Sequence, residues 1–145
     1  MERARAAGIP LRLPVDVVAA PGLDATGGLR AVGIREIPDD LMGLDIGSAT
    51  VSQFTTALHG AKTIVWNGPM GVFEKPAFAA GTLGVAQAVA GSGAFSVIGG
   101  GDTIAAVQQA GVIDKIGYVS TAGGAFLEFL EGRELPGVAA LDDAA

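Results

Sequence analysis

Apolar and polar positions switch between two periods along this chain, and the switches recur in one order. Leu11 to Ala20 alternates and then runs apolar, so Pro14-Val15-Asp16-Val17-Val18-Ala19-Ala20 predicts a strand. Ala31 to Ile37 is short and apolar enough for another. Lys62 to Trp66, Ala94 to Ile98 and Gly117 to Thr121 are short apolar runs, each ended by glycine or a turn residue. Helical spacing fills the intervals. Met1 to Ala7 reads as a helix stopped by Gly8, and Ser48 as the N-cap of a helix from Ala49 to Leu58. Pro76 opens a helix continued by Phe78 to Ala90, since a missing N–H costs nothing in a first turn. Asp102 or Thr103 caps a helix that ends near Ala110, with Gly111 as its stop. Gly124 to Glu131 is a last helix, stopped by Gly132. Strand–helix alternation of this kind predicts an α/β fold: an open, mostly parallel, Rossmann-like sheet with helices on both faces.

Composition agrees. The 145 residues allow one domain with one core, and 50% are hydrophobic against 17% charged. Strands buried on both faces produce that imbalance. Mean hydropathy is +0.48, which argues for a folded chain rather than a disordered one. A net charge of −6 argues against a nucleic-acid or membrane-surface binder. With no cysteine there is no disulfide framework, thiolate metal site or Cys nucleophile. No signal peptide and no apolar run long enough to span a bilayer is visible, so the expected compartment is the cytoplasm. The chain opens inside or just after a helix, where a doubly wound sheet begins with a strand; this suggests a fragment.

The 23 glycines gather at turns, and three of these turns carry candidate chemistry. Gly99-Gly100-Gly101-Asp102-Thr103 follows a strand and enters a helix. Glycines let the backbone come close to a ligand, and the free N–H groups of the helix favour an anion. Asp102 is then either a helix cap or a ligand of the Mg²⁺ that accompanies a nucleotide. The turn is neither a dinucleotide fingerprint nor a Walker loop. Ser120-Thr121-Ala122-Gly123-Gly124-Ala125 is an anion pocket without a cation, or a helix entry packed close to the sheet. In Trp66-Asn67-Gly68-Pro69-Met70-Gly71-Val72-Phe73-Glu74, Glu74 is placed to accept from ribose hydroxyls, or is a solvated surface carboxylate. Trp66 reads as core, as do Phe126, Leu127, Phe129 and Leu130. His59, the one histidine, reads as a helix-dipole partner. Asp16 is a charge in an apolar run that needs partners if buried.

Taken in order, L-P-V-D-V-V at Leu13 to Val18, M-G-L-D-I-G at Met42 to Gly47, W-N-G-P-M-G-V-F-E, G-G-G-D-T, S-T-A-G-G-A-F-L-E-F-L-E-G and L-P-G-V-A-A-L at Leu135 to Leu141 resemble phosphoglycerate kinase. The resemblance covers nearly this whole chain and roughly the last third of the family's. It implies that residues 1–145 are a partial C-terminal, nucleotide-binding domain, without the N-terminal domain that holds 3-phosphoglycerate. It also implies a reversible, Mg²⁺-dependent phosphoryl transfer between 1,3-bisphosphoglycerate and ADP in glycolysis. Gly43 and Leu44 would line the adenine pocket. Gly68, Met70 and Glu74 would border the nucleoside, and Asn67 would lie near the phosphates. Gly100 and Gly101 would let ATP or ADP approach, Asp102 would reach Mg²⁺ and Thr103 a phosphate. Gly123 and Gly124 would offer N–H groups to the phosphoryl group in flight. The family's G-G-A-K segment does not occur. Ser48-Ala49 stands where the family usually has Pro and a charged residue, and Ala122 replaces a glycine. A fragment of this kind is expected to be inactive alone and to self-associate through an exposed sheet edge. A ribokinase-like sugar kinase, with Asp102 facing a sugar hydroxyl, and a non-catalytic nucleotide-binding remnant are the alternatives.

Overall fold

The computed structural model describes residues 1–141, in an α/β arrangement built from two three-stranded sheets. The elements are α1 (Glu2–Ala6), β1 (Asp16–Ala20), β2 (Arg30–Gly33), β3 (Met42–Ile46), α2 (Ser48–Leu58), β4 (Thr63–Asn67), α3 (Ala80–Gly91), β5 (Phe95–Gly99), α4 (Gly101–Gln109), β6 (Tyr118–Ser120), α5 (Gly124–Leu130) and α6 (Pro136–Ala139). One sheet has the order β4-β5-β6 and is parallel, as the strand–helix alternation requires. The other, β2-β1-β3, is antiparallel. The apolar pattern does not separate the two, because it predicts no strand over Met42–Ile46. The short polar loops joining β1 to β2 and β2 to β3 carry no crossover helix, so antiparallel pairing is the available geometry.

The main core forms on one face of the parallel sheet. Ile64, Trp66 and Ile98 point into it and meet Val85, Ala86 and Val89 of α3 and Val107 of α4, with Phe54 and Leu58 of α2 at its margin. Among the described residues, the opposite face is covered only near its carboxyl end, where Phe126 of α5 packs on Gly99. Val65, Phe95 and Tyr118 on that face are 48%, 57% and 59% exposed, which leaves most of it bare. A smaller core of Ala20, Leu44 and Phe78 joins the antiparallel sheet to the turn before α3.

Three helix starts differ from expectation, and the simplest is α3, which begins at Ala80 because Pro76–Phe78 forms a separate 3₁₀ turn. Ser48 is the first helical residue of α2, not its cap; Gly47 is the N-cap and makes no side-chain hydrogen bond. The work passes to Asp16 on β1. Its carboxylate accepts from Ala49 N–H at 3.0 Å, Thr50 N–H at 2.7 Å and the Thr50 hydroxyl at 2.6 Å. Burial opposes the charge, but these donors outweigh it and hold the Asp16 carboxyl below the usual carboxylate range. Asp16 is thus the partnered charge that its apolar setting required. Because its pKa is lowered on folding, its contribution is present at neutral pH and is lost as pH falls below about 3.8 towards the folded-state value. Asp16→Ala is expected to cost about 1–2 kcal/mol, as loss of a good cap does. Urea unfolding at pH 7 and pH 3 should show the difference from the parent shrinking at the lower pH. The third is α4, which starts at Gly101 with Gly100 as N-cap; neither Asp102 nor Thr103 caps it by its side chain. The glycine stops at Gly8, Gly111 and Gly132 all have positive φ, as expected of residues that end helices.

Candidate nucleotide site

Parallel register brings the three glycine-rich turns together. Asn67 pairs with Gly99, and Gly99 pairs with Ser120, so the turns leave the same end of β4, β5 and β6 side by side. This is the carboxyl end of the strands, where open α/β sheets bind ligands. The first two turns are also linked across the sheet. Gly68 N–H donates to the Thr103 hydroxyl at 2.7 Å, and a side chain at Gly100 would come within 3.3 Å of the Asn67 amide nitrogen. Gly100 has φ +89°, a conformation that side chains rarely adopt, so both its shape and its space call for glycine.

At α4 the first N–H groups have no intrahelical acceptor and carry the partial positive charge of the helix start. Asp102 stands exposed in this turn, and its carboxylate accepts no hydrogen bond among the described residues. One free carboxylate beside unpaired N–H groups suits a Mg²⁺ that arrives on phosphate oxygens, since that ion keeps several water and phosphate ligands. The described residues hold no cluster of three or more His, Cys, Asp or Glu side chains that would retain a metal by themselves. Thr103 is fully buried and serves the Asn67 turn. Its hydroxyl acts as an acceptor there, so what it presents to the exposed turn is backbone.

The third turn runs from Ser120 to Gly124. Ser120 is buried, and its hydroxyl accepts from Ala122 N–H at 3.4 Å. Gly123 has φ 57° and ψ −130°, a glycine-only conformation, and lies exposed with Gly124. No described non-glycine residue has positive φ, so alanine at position 122 sits without strain.

The remaining site residues follow the loop after β4. Trp66 is core, and its indole N–H donates to Gly68 C=O at 2.7 Å, which folds the loop back. Met70 and Gly71 N–H groups both donate to the Thr82 hydroxyl, at 3.0 and 3.2 Å. Val72 N–H donates to Leu44 C=O at 2.9 Å, so β3 lies against this loop and brings Gly43 and Leu44 to its side. Leu44 and Met70 direct their side chains to the cores. Glu74 is exposed and makes no hydrogen bond among the described residues. Its neighbour Phe73 accepts at its C=O from Gln109 Nε2, 3.3 Å away. Gln109 ends α4, so Glu74 and Asp102 lie towards opposite ends of that helix, about 10 Å along its axis. His59 follows the last turn of α2, exposed and away from these turns.

Two site-forming residues escaped the sequence reading. Thr82 carries no sequence signal. Asp45 did carry one, a charge inside Met42–Ile46. It is 3% exposed and accepts from Ile46 N–H at 2.9 Å and from Gly81 N–H at 2.7 Å, which ties β3 to the start of α3. Burial pushes its carboxyl above the usual range against those two hydrogen bonds.

Residues 1–133 match the family model of phosphoglycerate kinase. The chain belongs to the phosphoglycerate kinase family. It is 54% identical over 147 residues to the phosphoglycerate kinase of Synechococcus sp. (strain JA-3-3Ab), covering 99% of this chain and 36% of that one. It is 60% identical over 134 residues to that of Desulfosudis oleivorans, covering 92% and 34%. Its fold superposes on the structure of phosphoglycerate kinase from Coxiella burnetii with a TM-score of 0.89 and 46% identity, over 95% of this chain and 36% of that one. The Pyrococcus horikoshii enzyme gives 0.76 and 41%, over 90% and 32%. The chain thus spans about a third of its relatives' length. Membership in the phosphoglycerate kinase family in particular removes the ribokinase-like alternative. No helix among the described residues is long and apolar enough to cross a membrane.

Proposed function

We propose that this chain is the nucleotide-binding part of a phosphoglycerate kinase and holds Mg–ADP or Mg–ATP at the carboxyl ends of β4, β5 and β6. One observation carries the reading: the Asn67, Gly100 and Gly123 turns emerge in register at one sheet end. The phosphates lie on the N–H groups of Gly100, Gly101 and Asp102, with Asn67 and Thr103 behind them. Asp102 takes the ion, which neutralises charge on the phosphate oxygens. Glu74 accepts from the ribose hydroxyls a helix length away, and Gly43, Leu44, Gly68 and Met70 border the base and sugar through the loop after β4. Gly123 and Gly124 direct backbone N–H groups at the phosphoryl group in transfer, where fixed dipoles act without reorganising.

The reaction served is reversible phosphoryl transfer between 1,3-bisphosphoglycerate and ADP, a step of glycolysis in the cytoplasm. In this reading 3-phosphoglycerate meets the chain only through a separate substrate domain. Holding both substrates supplies most of the catalysis, so the 145 residues alone bind nucleotide and transfer nothing. Titration calorimetry should show Mg–ADP binding one site per chain, with no turnover in a coupled assay. Turnover by the chain alone would refute this division of labour, and absence of nucleotide binding would refute the site.

A further inference from the structure

The loop 68–71 leaves β4 and carries Gly68 and Met70, two of the residues placed beside the nucleoside. Pro69 has no N–H, so the loop has three backbone donors, and all three are spent on the protein. Gly68 N–H donates to the Thr103 hydroxyl at 2.7 Å. Met70 and Gly71 N–H both donate to the Thr82 hydroxyl, at 3.0 and 3.2 Å. Both threonines are fully buried. The C=O groups of Pro69 and Met70, by contrast, accept no hydrogen bond among the described residues. A loop that uses its donors internally and keeps acceptors free suits the part of a ligand that donates, such as ribose hydroxyls or an amino group on a base. It does not suit phosphate oxygens, which call for N–H groups.

Thr82 is itself fixed from another side. It is the third residue of α3, and the N–H of its neighbour Gly81 donates to the Asp45 carboxylate at 2.7 Å. Asp45 stands on β3 next to Leu44, whose C=O accepts from Val72 N–H at 2.9 Å. A Cβ at Gly71 would collide with Asp45. The loop, β3 and α3 thus close on one another, and the Thr82 hydroxyl is the group that holds two loop donors at once. We propose that Thr82 is a positioning residue for the nucleoside: its hydroxyl sets the backbone of residues 68–71 in the shape that receives sugar and base. It touches no ligand. The inference rests on the nucleotide reading above and adds to it a residue outside the glycine-rich turns.

The test uses the whole 145-residue chain at a temperature where it is folded. Thr82→Val keeps the shape and removes the acceptor, which leaves two N–H groups unmatched. Calorimetry should show Mg–ADP binding roughly tenfold weaker or worse, and amide exchange at Met70 and Gly71 faster by a similar factor. Thr82→Ser keeps the oxygen and should bind nearly as tightly as the parent. Lost packing alone predicts the reverse order, with serine the weaker binder, because valine retains the bulk. The parent chain supplies a measurement that does not depend on a variant folding. If opening of the Thr82 bonds dismantles the site, exchange at Met70 and Gly71 slows by the factor 1 + [L]/Kd, about 100-fold when free Mg–ADP is about 100 times Kd. Exchange indifferent to saturating Mg–ADP would overturn the proposal. So would parent-like binding by Thr82→Val, or a serine variant as weak as the valine one. A parent chain that binds no Mg–ADP is a separate result, which removes the nucleotide reading itself and this inference with it.

Discussion

Asp45→Ala is expected to lower stability by about 3 kcal/mol. Both carboxylate oxygens accept buried N–H groups, from Ile46 and Gly81, and orphaning a buried donor costs about 1–3 kcal/mol each. The surroundings cannot close over the gap cheaply. Gly71 and Gly81 are packed against the Asp45 side chain so closely that neither has room for a methyl group. The loss also reaches the candidate site, because Asp45 joins β3 to the start of α3, and α3 supplies the Thr82 hydroxyl that holds Met70 and Gly71. Its pH dependence runs opposite to that of Asp16. The Asp45 pKa is raised on folding, so its titration favours the folded state fully below pH 3.8 and that contribution is lost as pH rises through the folded-state value. Urea denaturation of Asp45→Ala between pH 3 and pH 7 should therefore lack this component, and a loss below 1 kcal/mol at pH 7 would contradict the assigned role.

Asp102→Ala is expected to weaken Mg–ADP binding at least tenfold while leaving metal-free ADP unchanged or slightly tighter. A tenfold loss is about 1.4 kcal/mol, less than the roughly 1.5–3 kcal/mol of one charge-assisted interaction. The sign for metal-free nucleotide follows from charge, since the variant removes a carboxylate beside the phosphates. The side chain makes no capping hydrogen bond in α4, so the fold should lose only the helix-dipole contribution, about 0.3–1 kcal/mol. Calorimetry of both ligand forms separates the roles. Equal loss with and without Mg²⁺ would reduce Asp102 to a first-turn acid of the helix.

The parallel half of the fold was legible because its strands are apolar runs closed by glycine, and its helices start and stop at residues with local reasons to do so. In the antiparallel half, β1 and β2 were legible as strands, but β3 and the antiparallel pairing were not. Arg30–Gly33 and Met42–Ile46 are short and rich in glycine and polar residues, so their pairing depends on β1 rather than on their own pattern. The same limit applied to the caps. Asp16 holds α2 from 33 residues away, a relation that no local window contains. In the site, sequence marked the turns and the structure showed their register. Thr103 shows the gap between the two: the resemblance implies that it reaches a phosphate, yet its side chain turns inward to hold Gly68. Leu44 and Met70 likewise belong to the cores, because an apolar side chain beside a loop is buried wherever a neighbour can cover it.

Backbone amide shift mapping of the ¹⁵N-labelled chain during titration with Mg–ADP tests the central claim most directly. The expected result is a saturable set of shifts at Gly68, Gly100, Gly101, Asp102 and Glu74, largest in the first turn of α4, with Gly123 and Gly124 following. Saturable shifts confined to other parts of the chain, or none at these amides at millimolar Mg–ADP, would contradict a nucleotide site at the carboxyl ends of β4, β5 and β6.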